Sequence, residues 1–301
     1  MASGRNHGFH IPNPHIREME QDVLYHIALE TKSHDLPAMF GNVKFVCVGG
    51  SPNRMKHLAD YLQEQLHVEI PAGMTLCNLG KGKARYAMYK VGPVLCVSHG
   101  MGVPSLSILL HELFKLLFHA KCKDVTIIRV GTSGGIGLDP GTVVVTEEAL
   151  NTFLEPYYTQ VILGKETKKP SVLDRGLAEA ILGCSSPKDN FKTVLGKTMC
   201  ANDFYEEQAR LDGAVCTFTE KEKMDYLHEL YAAGVRNIEM EAVAFAAMCH
   251  RVNIKGAVVC VTLVNRLKGD QVTATNEIMR EYQRRPQRIV GRYIRQQLGL
   301  D

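Results

Sequence analysis

No two of the nine cysteines stand in C-x-x-C spacing, which argues against a zinc ribbon or a dithiol redox pair. Most of them sit inside apolar strings such as Phe45-Val46-Cys47-Val48 and Val258-Val259-Cys260-Val261. That placement predicts buried free thiols in a reducing compartment, not a disulfide framework. The first fifteen residues lack the apolar stretch of a signal peptide, and no N-x-[ST] acceptor occurs anywhere. No run approaches the ~20 apolar residues that cross a bilayer. A cytoplasmic location is the resulting expectation. Charge of one sign is scarce as well: a formal net charge of +3 is too small to point to nucleic acid or an acidic membrane as partner. There is no internal repeat, low-complexity segment or linker.

What is present is enough chain, 301 residues and 45% hydrophobic, for one large core. Residues 1–40 are polar and punctuated by proline, and read as an N-terminal arm; residues 41–301 read as the domain proper. Lys44–Val48 predicts a buried strand ended by Gly49-Gly50 and Pro52, and Met55, Leu58, Leu62 and Leu66 give the helical period after it. Tyr86–Val91 and Val94–Ser98 predict a hairpin about Gly92-Pro93. Further strands are predicted at Val125–Val130, Thr142–Thr146, Val194–Cys200 and Ala257–Leu263. Helices are predicted at Pro104–His119, around Leu173–Leu182, and at Glu220–Ala233, Glu239–Arg251 and Asn276–Leu298. The alternation implies one α/β domain in three αβα layers, with the hairpin making the central sheet mixed.

Several motifs are present only in part. Gly131-Thr132-Ser133-Gly134-Gly135 fits G-x-S-x-G, but Ile136–Gly141 contains Asp139-Pro140-Gly141 and cannot be the helix a nucleophile elbow needs. Gly196-Lys197-Thr198 ends like a P-loop, yet Phe191 occupies the position of its first glycine. No G-x-G-x-x-G follows the first strand, so a dinucleotide fold is unsupported. His7 and His10 form a polar H-x-x-H in the arm, more consistent with solvation than with metal ligation. The arginines at 284, 288, 292 and 295 form a basic stripe on the last helix, expected to face solvent.

Two Gly-rich strand ends carry more specific chemistry. Gly49–Arg54 offers bare backbone N–H groups and one arginine. Arg129–Gly135 places an arginine at the tip of an otherwise apolar strand. A buried guanidinium needs an anionic partner, either a bound oxyanion or a structural carboxylate. With these belong two further segments, Phe204–Arg210 and Asn237-Ile238-Glu239-Met240-Glu241.

Together with Ser98–Gly102, Leu211–Ala214 and Glu281–Pro286, the four segments resemble the uridine phosphorylases of the nucleoside phosphorylase I family, animal-type members above all. The resemblance runs from about Leu24 to Pro286. It implies an enzyme that splits uridine with inorganic phosphate, a co-substrate, into uracil and ribose 1-phosphate, without metal or organic cofactor. By the same resemblance Gly50, Arg54, Arg129 and Thr132 hold phosphate, and Arg85 reaches it from a neighbouring subunit. Gln208 and Arg210 read the uracil edge beside Phe204. Met240 and Glu241 hold the ribose, and His26 of the neighbouring subunit its 5′-hydroxyl. Val264 and Arg266 open a lid over the base. The implied assembly is a homodimer with shared sites, with small-molecule substrates and neither nucleic acid nor membrane as partner.

The chain departs from the family pattern at Glu207 and Ala209, where glycine is usual; if those glycines used positive φ, the base-reading loop must shift here. The stretch Asn78–Ala84 is longer and more basic than usual. A purine phosphorylase or nucleosidase would want a carboxylate near the base, and Thr262-Leu263-Val264-Asn265 has none. Two further functions are compatible with the same residues: a paralogue that binds nucleosides without catalysis, and a phosphorylase of shifted specificity.

Overall fold

A computed structural model describes residues 9–71, 73–80, 82 and 84–300. His7 of the histidine pair, and Lys81 and Lys83 of the basic stretch before Arg85, lie outside the described residues. The chain begins with α1 (His15–Glu18), a short ladder of β1 (Val23–Leu24) with β2 (Leu29–Glu30), and α2 (Leu36–Phe40). β3 (Phe45–Gly49) runs into α3 (Pro52–Gln65), followed by the hairpin of β4 (Met88–Val91) and β5 (Val94–Ser98) and then α4 (Gly102–His119). Next come β6 (Thr126–Gly135), β7 (Val143–Leu150), the hairpin of β8 (Tyr157–Ile162) and β9 (Lys165–Pro170), and α5 (Arg175–Gly183). β10 (Thr193–Cys200), α6 (Glu220–Ala232), β11 (Val235–Glu239), α7 (Ala242–Arg251), β12 (Lys255–Asn265) and α8 (Asn276–Gln297) complete the order.

The central strands are apolar throughout because both of their faces are covered. In β3, Phe45 and Cys47 face a core shared with α3, α5 and α8, while Val46 and Val48 face the core under α4 and α7. The eight-stranded sheet has the order β11-β10-β7-β12-β6-β3-β5-β4. β3, β5, β6 and β12 run parallel, as do β7, β10 and β11, and β7 meets β12 antiparallel. The sheet is therefore mixed for a second reason besides the hairpin. β11 also pairs antiparallel with the end of β6, Asn237 opposite Gly135 and Ile238 opposite Gly134, so β6, β12, β7, β10 and β11 close into a ring.

Four expectations change. The segment read as an arm is partly core: Leu24, Ile27, Leu36 and Phe40 are buried against α4. The hairpin of β8 and β9 went unpredicted because its strands are largely exposed and polar; its turn, Leu163-Gly164, has positive φ at both residues, a two-residue type that suits the twist of hairpins. Glu239 ends a strand and does not begin a helix, since the Glu239 carboxylate accepts from the N–H groups of Glu241 and Ala242 and so caps α7 from outside. Arg129 lies inside β6, opposite Val48 and Val258, not at its tip.

The same continuity of β6 removes any nucleophile elbow. Ser133 is a strand residue whose hydroxyl donates to the Val261 carbonyl and accepts from Asn237 Nδ2. The basic stripe of α8 faces solvent at Arg284, while Arg288 pairs with Glu281 of the same helix at 3.0 Å and Arg292 with Asp189 at 2.5 Å. No helix among the described residues is long and apolar enough to cross a membrane.

Candidate active site

β3, β5, β6 and β12 are parallel, so the loops that follow β3 and β5 lie at one end of the sheet with the distal halves of β6 and β12. A cavity of about 460 Å³ opens there. It is lined by Gly50, Arg54, Arg129, Thr132, Phe204, Gln208, Arg210, Met240, Glu241 and Val264, and also by His99, Glu239 and Val272.

One end is basic. Pro52 starts α3 and places Arg54 in its first turn, where Nη1 donates to Thr132 Oγ1 at 3.3 Å. A Cβ at residue 50 would meet Arg54 Nη2 at 2.9 Å and the Gly100 oxygen at 3.0 Å, so glycine is what admits the guanidinium. Burial, and then the like charge of Arg129, lower the pKa of Arg54, a repulsion that an anion between the two would relieve.

Arg129 has carboxylate partners of its own. Its Nη1 lies 2.9 Å from Glu239 Oε2 and its Nη2 donates to Glu241 Oε2. Burial opposes its charge, yet Glu239 and Glu241 outweigh that and hold it protonated. Glu241 also accepts from the Gly102 N–H at 2.6 Å. Burial works against ionising either acid. In Glu239 it prevails, with Glu241 adding to it, and the carboxyl is pushed up to about 6. In Glu241 the charge of Arg129, with His99 and the Gly102 N–H helping, overcomes burial and the pKa falls. The two acids titrate as a pair. Arg129 thus has structural carboxylates as partners and still lines the cavity, with Nε unpartnered.

The other end is built from the loop after β10. The guanidinium of Arg210 lies 4.4 Å from the Phe204 ring centroid and is gripped by Asp212 through Nε (2.9 Å) and Nη2 (2.7 Å). These contacts leave Nη1 unused. Gln208 is buried, and its backbone oxygen accepts from Arg266 Nη2 at 2.7 Å. Ala209 takes φ +52°, so the left-handed backbone expected of a glycine is kept here by an alanine. Glu207 does not have positive φ; it binds the Asn202 N–H at 2.6 Å.

Arg266 departs from the expected lid. It is wholly buried, pairs with Asp270 at 2.9 Å and bonds the carbonyls of Gln208 and Ala209. A charge so enclosed anchors the base-end loop and is not free to swing. Val264 and the exposed Val272, beyond Asp270, are residues of that segment that reach the cavity.

His26 and Arg85 are absent from the cavity wall. They are held together, the Arg85 N–H donating to the His26 carbonyl at 2.7 Å, and His26 Nδ1 lies 2.6 Å from Glu112 Oε1. Glu239 and His99 escaped the sequence reading as site residues, although both lie in segments it singled out. The available signal was an ionisable group between Ile238 and Met240 in one case and, in the other, one directly after the apolar strand Val94–Ser98. No group of three or more His, Cys, Asp or Glu among the described residues could hold a metal ion.

Residues 44–295 match the profile of the phosphorylase superfamily. Uridine phosphorylase 1 of Mus musculus is 54% identical over 96% of this chain and 93% of its own length. Uridine phosphorylase 2 of Homo sapiens is also 54% identical, over 97% and 92%. The crystal structure of uridine phosphorylase from Schistosoma mansoni in complex with thymidine superposes with a TM-score of 0.92 at 42% identity, covering 96% of this chain and 99% of that one. The chain belongs to the phosphorylase superfamily, among the animal-type uridine phosphorylases.

Proposed function

We propose that this protein catalyses the reversible phosphorolysis of uridine to uracil and ribose 1-phosphate, as a pentosyltransferase of pyrimidine salvage. One observation carries the reading: a single cavity is lined by two arginines with a Gly-Thr cradle, by a buried carboxylate pair held against Arg129, and by an amide with a stacked guanidinium. Those are the groups that phosphate, ribose and base each call for.

Phosphate sits against Gly50, Arg54, Arg129 and Thr132. Glu241 accepts from the ribose 2′- and 3′-hydroxyls beside Met240, and Glu239 keeps Arg129 and the start of α7 in place. Gln208 presents an acceptor and a donor to the N3–H and a carbonyl of uracil, an edge that cytosine does not offer. As the C1′–N1 bond breaks, the sugar gains positive charge and the base negative charge. Phosphate stabilises the first and then bonds C1′, and Arg210 Nη1 meets the second. The guanidinium groups supply the charge stabilisation themselves, so the proposed chemistry takes no metal or organic cofactor.

Arg85 and His26 are assigned to the site of a second copy, which makes the working unit a homodimer. The nine free thiols, most of them buried, favour the cytoplasm. The testing experiment is a panel of uridine, thymidine, cytidine, inosine and 5′-methylthioadenosine, each with and without phosphate. Uridine cleavage that requires phosphate supports the reading; cleavage without phosphate, or preference for inosine, refutes it.

A further inference from the structure

The least expected group in the cavity is a histidine with nothing to bond. His99 follows β5, and its backbone is fixed on both sides: its N–H donates to the Gly49 carbonyl at 2.8 Å and its own carbonyl accepts from Ser105 Oγ at 2.5 Å. The ring lines the cavity and is 1% exposed, yet neither Nδ1 nor Nε2 has a hydrogen-bond partner among the described residues. Leaving two ring nitrogens unsatisfied in a buried site is costly, and a native fold keeps such a group where a ligand completes it. Burial first, then Arg129 and Arg54, bring its pKa down to about 3, so the ring is neutral. A neutral imidazole has one donor and one acceptor nitrogen.

Its neighbours are largely committed. Each oxygen of Glu241 already accepts one bond, from the Gly102 N–H or from Arg129, and its remaining capacity is assigned to the ribose hydroxyls; the oxygens of Glu239 accept from Arg129 and the N–H groups of Glu241 and Ala242. The two arginines only donate. We propose that His99 is a further phosphate-contacting residue, one ring nitrogen accepting from the O–H of the hydrogen phosphate. This rests on the assignment of the Arg54–Arg129 end to phosphate.

The reaction gives such a ring a purpose. Monohydrogen phosphate enters with one O–H, an unprotonated oxygen forms the new bond to C1′, and the C1′–N1 electron pair leaves with the uracil. The proton that phosphate brought ends on uracil N1, and the product ester is a dianion with no O–H. The anion end therefore holds a species with a proton to donate, then one without. Donors such as Arg54 and Arg129 suit both species, but only the entering hydrogen phosphate has an O–H to place, and the acceptor nitrogen of His99 takes it.

The test uses the full-length protein and inorganic phosphate. His99→Phe keeps a ring of similar shape without the nitrogens. It is expected to raise the phosphate KM about 10- to 100-fold, the usual effect of losing a hydrogen bond to a charged group, with the uridine KM changed less than about twofold. His99→Asn, which retains a donor and an acceptor, should recover part of that loss. In wild-type protein with 15N-labelled histidine, phosphate alone should shift the one ring signal that is missing from the His99→Asn spectrum. Arg54→Ala separates the possible failures. If His99→Phe leaves the phosphate KM unchanged while Arg54→Ala raises it steeply, the role of His99 is refuted and the anion end stands. If neither changes it, both are refuted. A 15N spectrum unmoved by saturating phosphate likewise refutes the contact, whatever the Phe variant does to folding.

Discussion

The backbone N–H of Arg85 donates to the carbonyl of His26 at 2.7 Å, so two residues 59 positions apart in the chain, neither on the cavity wall, share one place on the surface. Their adjacency is what a donated pair requires: one patch of one subunit reaching into one site of another. Arg54→Ala should disable a subunit's own site, and Arg85→Ala only the site it completes. Each homodimer should be nearly inactive. Refolding the two variants together should restore roughly a quarter of wild-type sites, because half of randomly paired dimers are hybrids and each hybrid has one whole site. No recovery, with hybrids seen by native mass spectrometry, would put both arginines in the same site.

The proposed reading assigns base recognition to Gln208, whose backbone oxygen is held by Arg266. Gln208→Leu should lower kcat/KM on uridine by ~10²-fold or more, because the polar uracil edge is left unpaired in a buried site. The phosphate KM should stay within about twofold. Steady-state kinetics with each substrate varied in turn gives both numbers.

Arg129, proposed as an anion ligand, is also a structural residue. Arg129→Met would leave Glu239 and Glu241 buried beside each other without their cation, a loss on the order of 3–5 kcal/mol. Urea unfolding should show that loss, and adding Glu239→Gln should recover part of it. An Arg129→Met variant as stable as wild type would mean the carboxylates are satisfied elsewhere.

Glu239 also gives the anion end a pH dependence of known sign. Above about 6 its carboxylate is charged, and together with Glu241 it balances Arg54 and Arg129; below about 6 it takes up a proton and the cradle gains one net positive charge. Sulfate, whose own charge is constant across this range, should therefore bind more tightly as pH falls through about 6 and change little above 7. Glu239→Gln should bind sulfate tightly at every pH and lose the step. Calorimetric titration between pH 5 and 8 checks both; a step that survives in the variant would belong to another group.

Much of the fold was legible because its strands are buried on both faces, and Phe45–Val48 or Val258–Val261 have no other comfortable place. The exposed hairpin of β8 and β9 lacked that signal, its second strand being mostly charged, and only Leu163-Gly164 hinted at its turn. In the site, the two Gly-rich segments and their arginines were legible as chemistry. Their partners were not: that Glu239 would turn back to cap α7 and grip Arg129, or that Arg266 would anchor the Gln208 loop, depends on side-chain geometry across 110 and 58 positions. Ala209 shows the reverse case. Its backbone conformation is the one the usual glycine implies, and the residue alone hides it.

The most direct test of the account is a product balance. Purified protein is incubated with uridine and labelled phosphate, and uracil and ribose 1-phosphate are quantified together. The account predicts equal amounts of both, every ribose carrying the label, and no uracil when phosphate is withheld. Free ribose in place of the labelled ester, or uracil formed without phosphate, would contradict it.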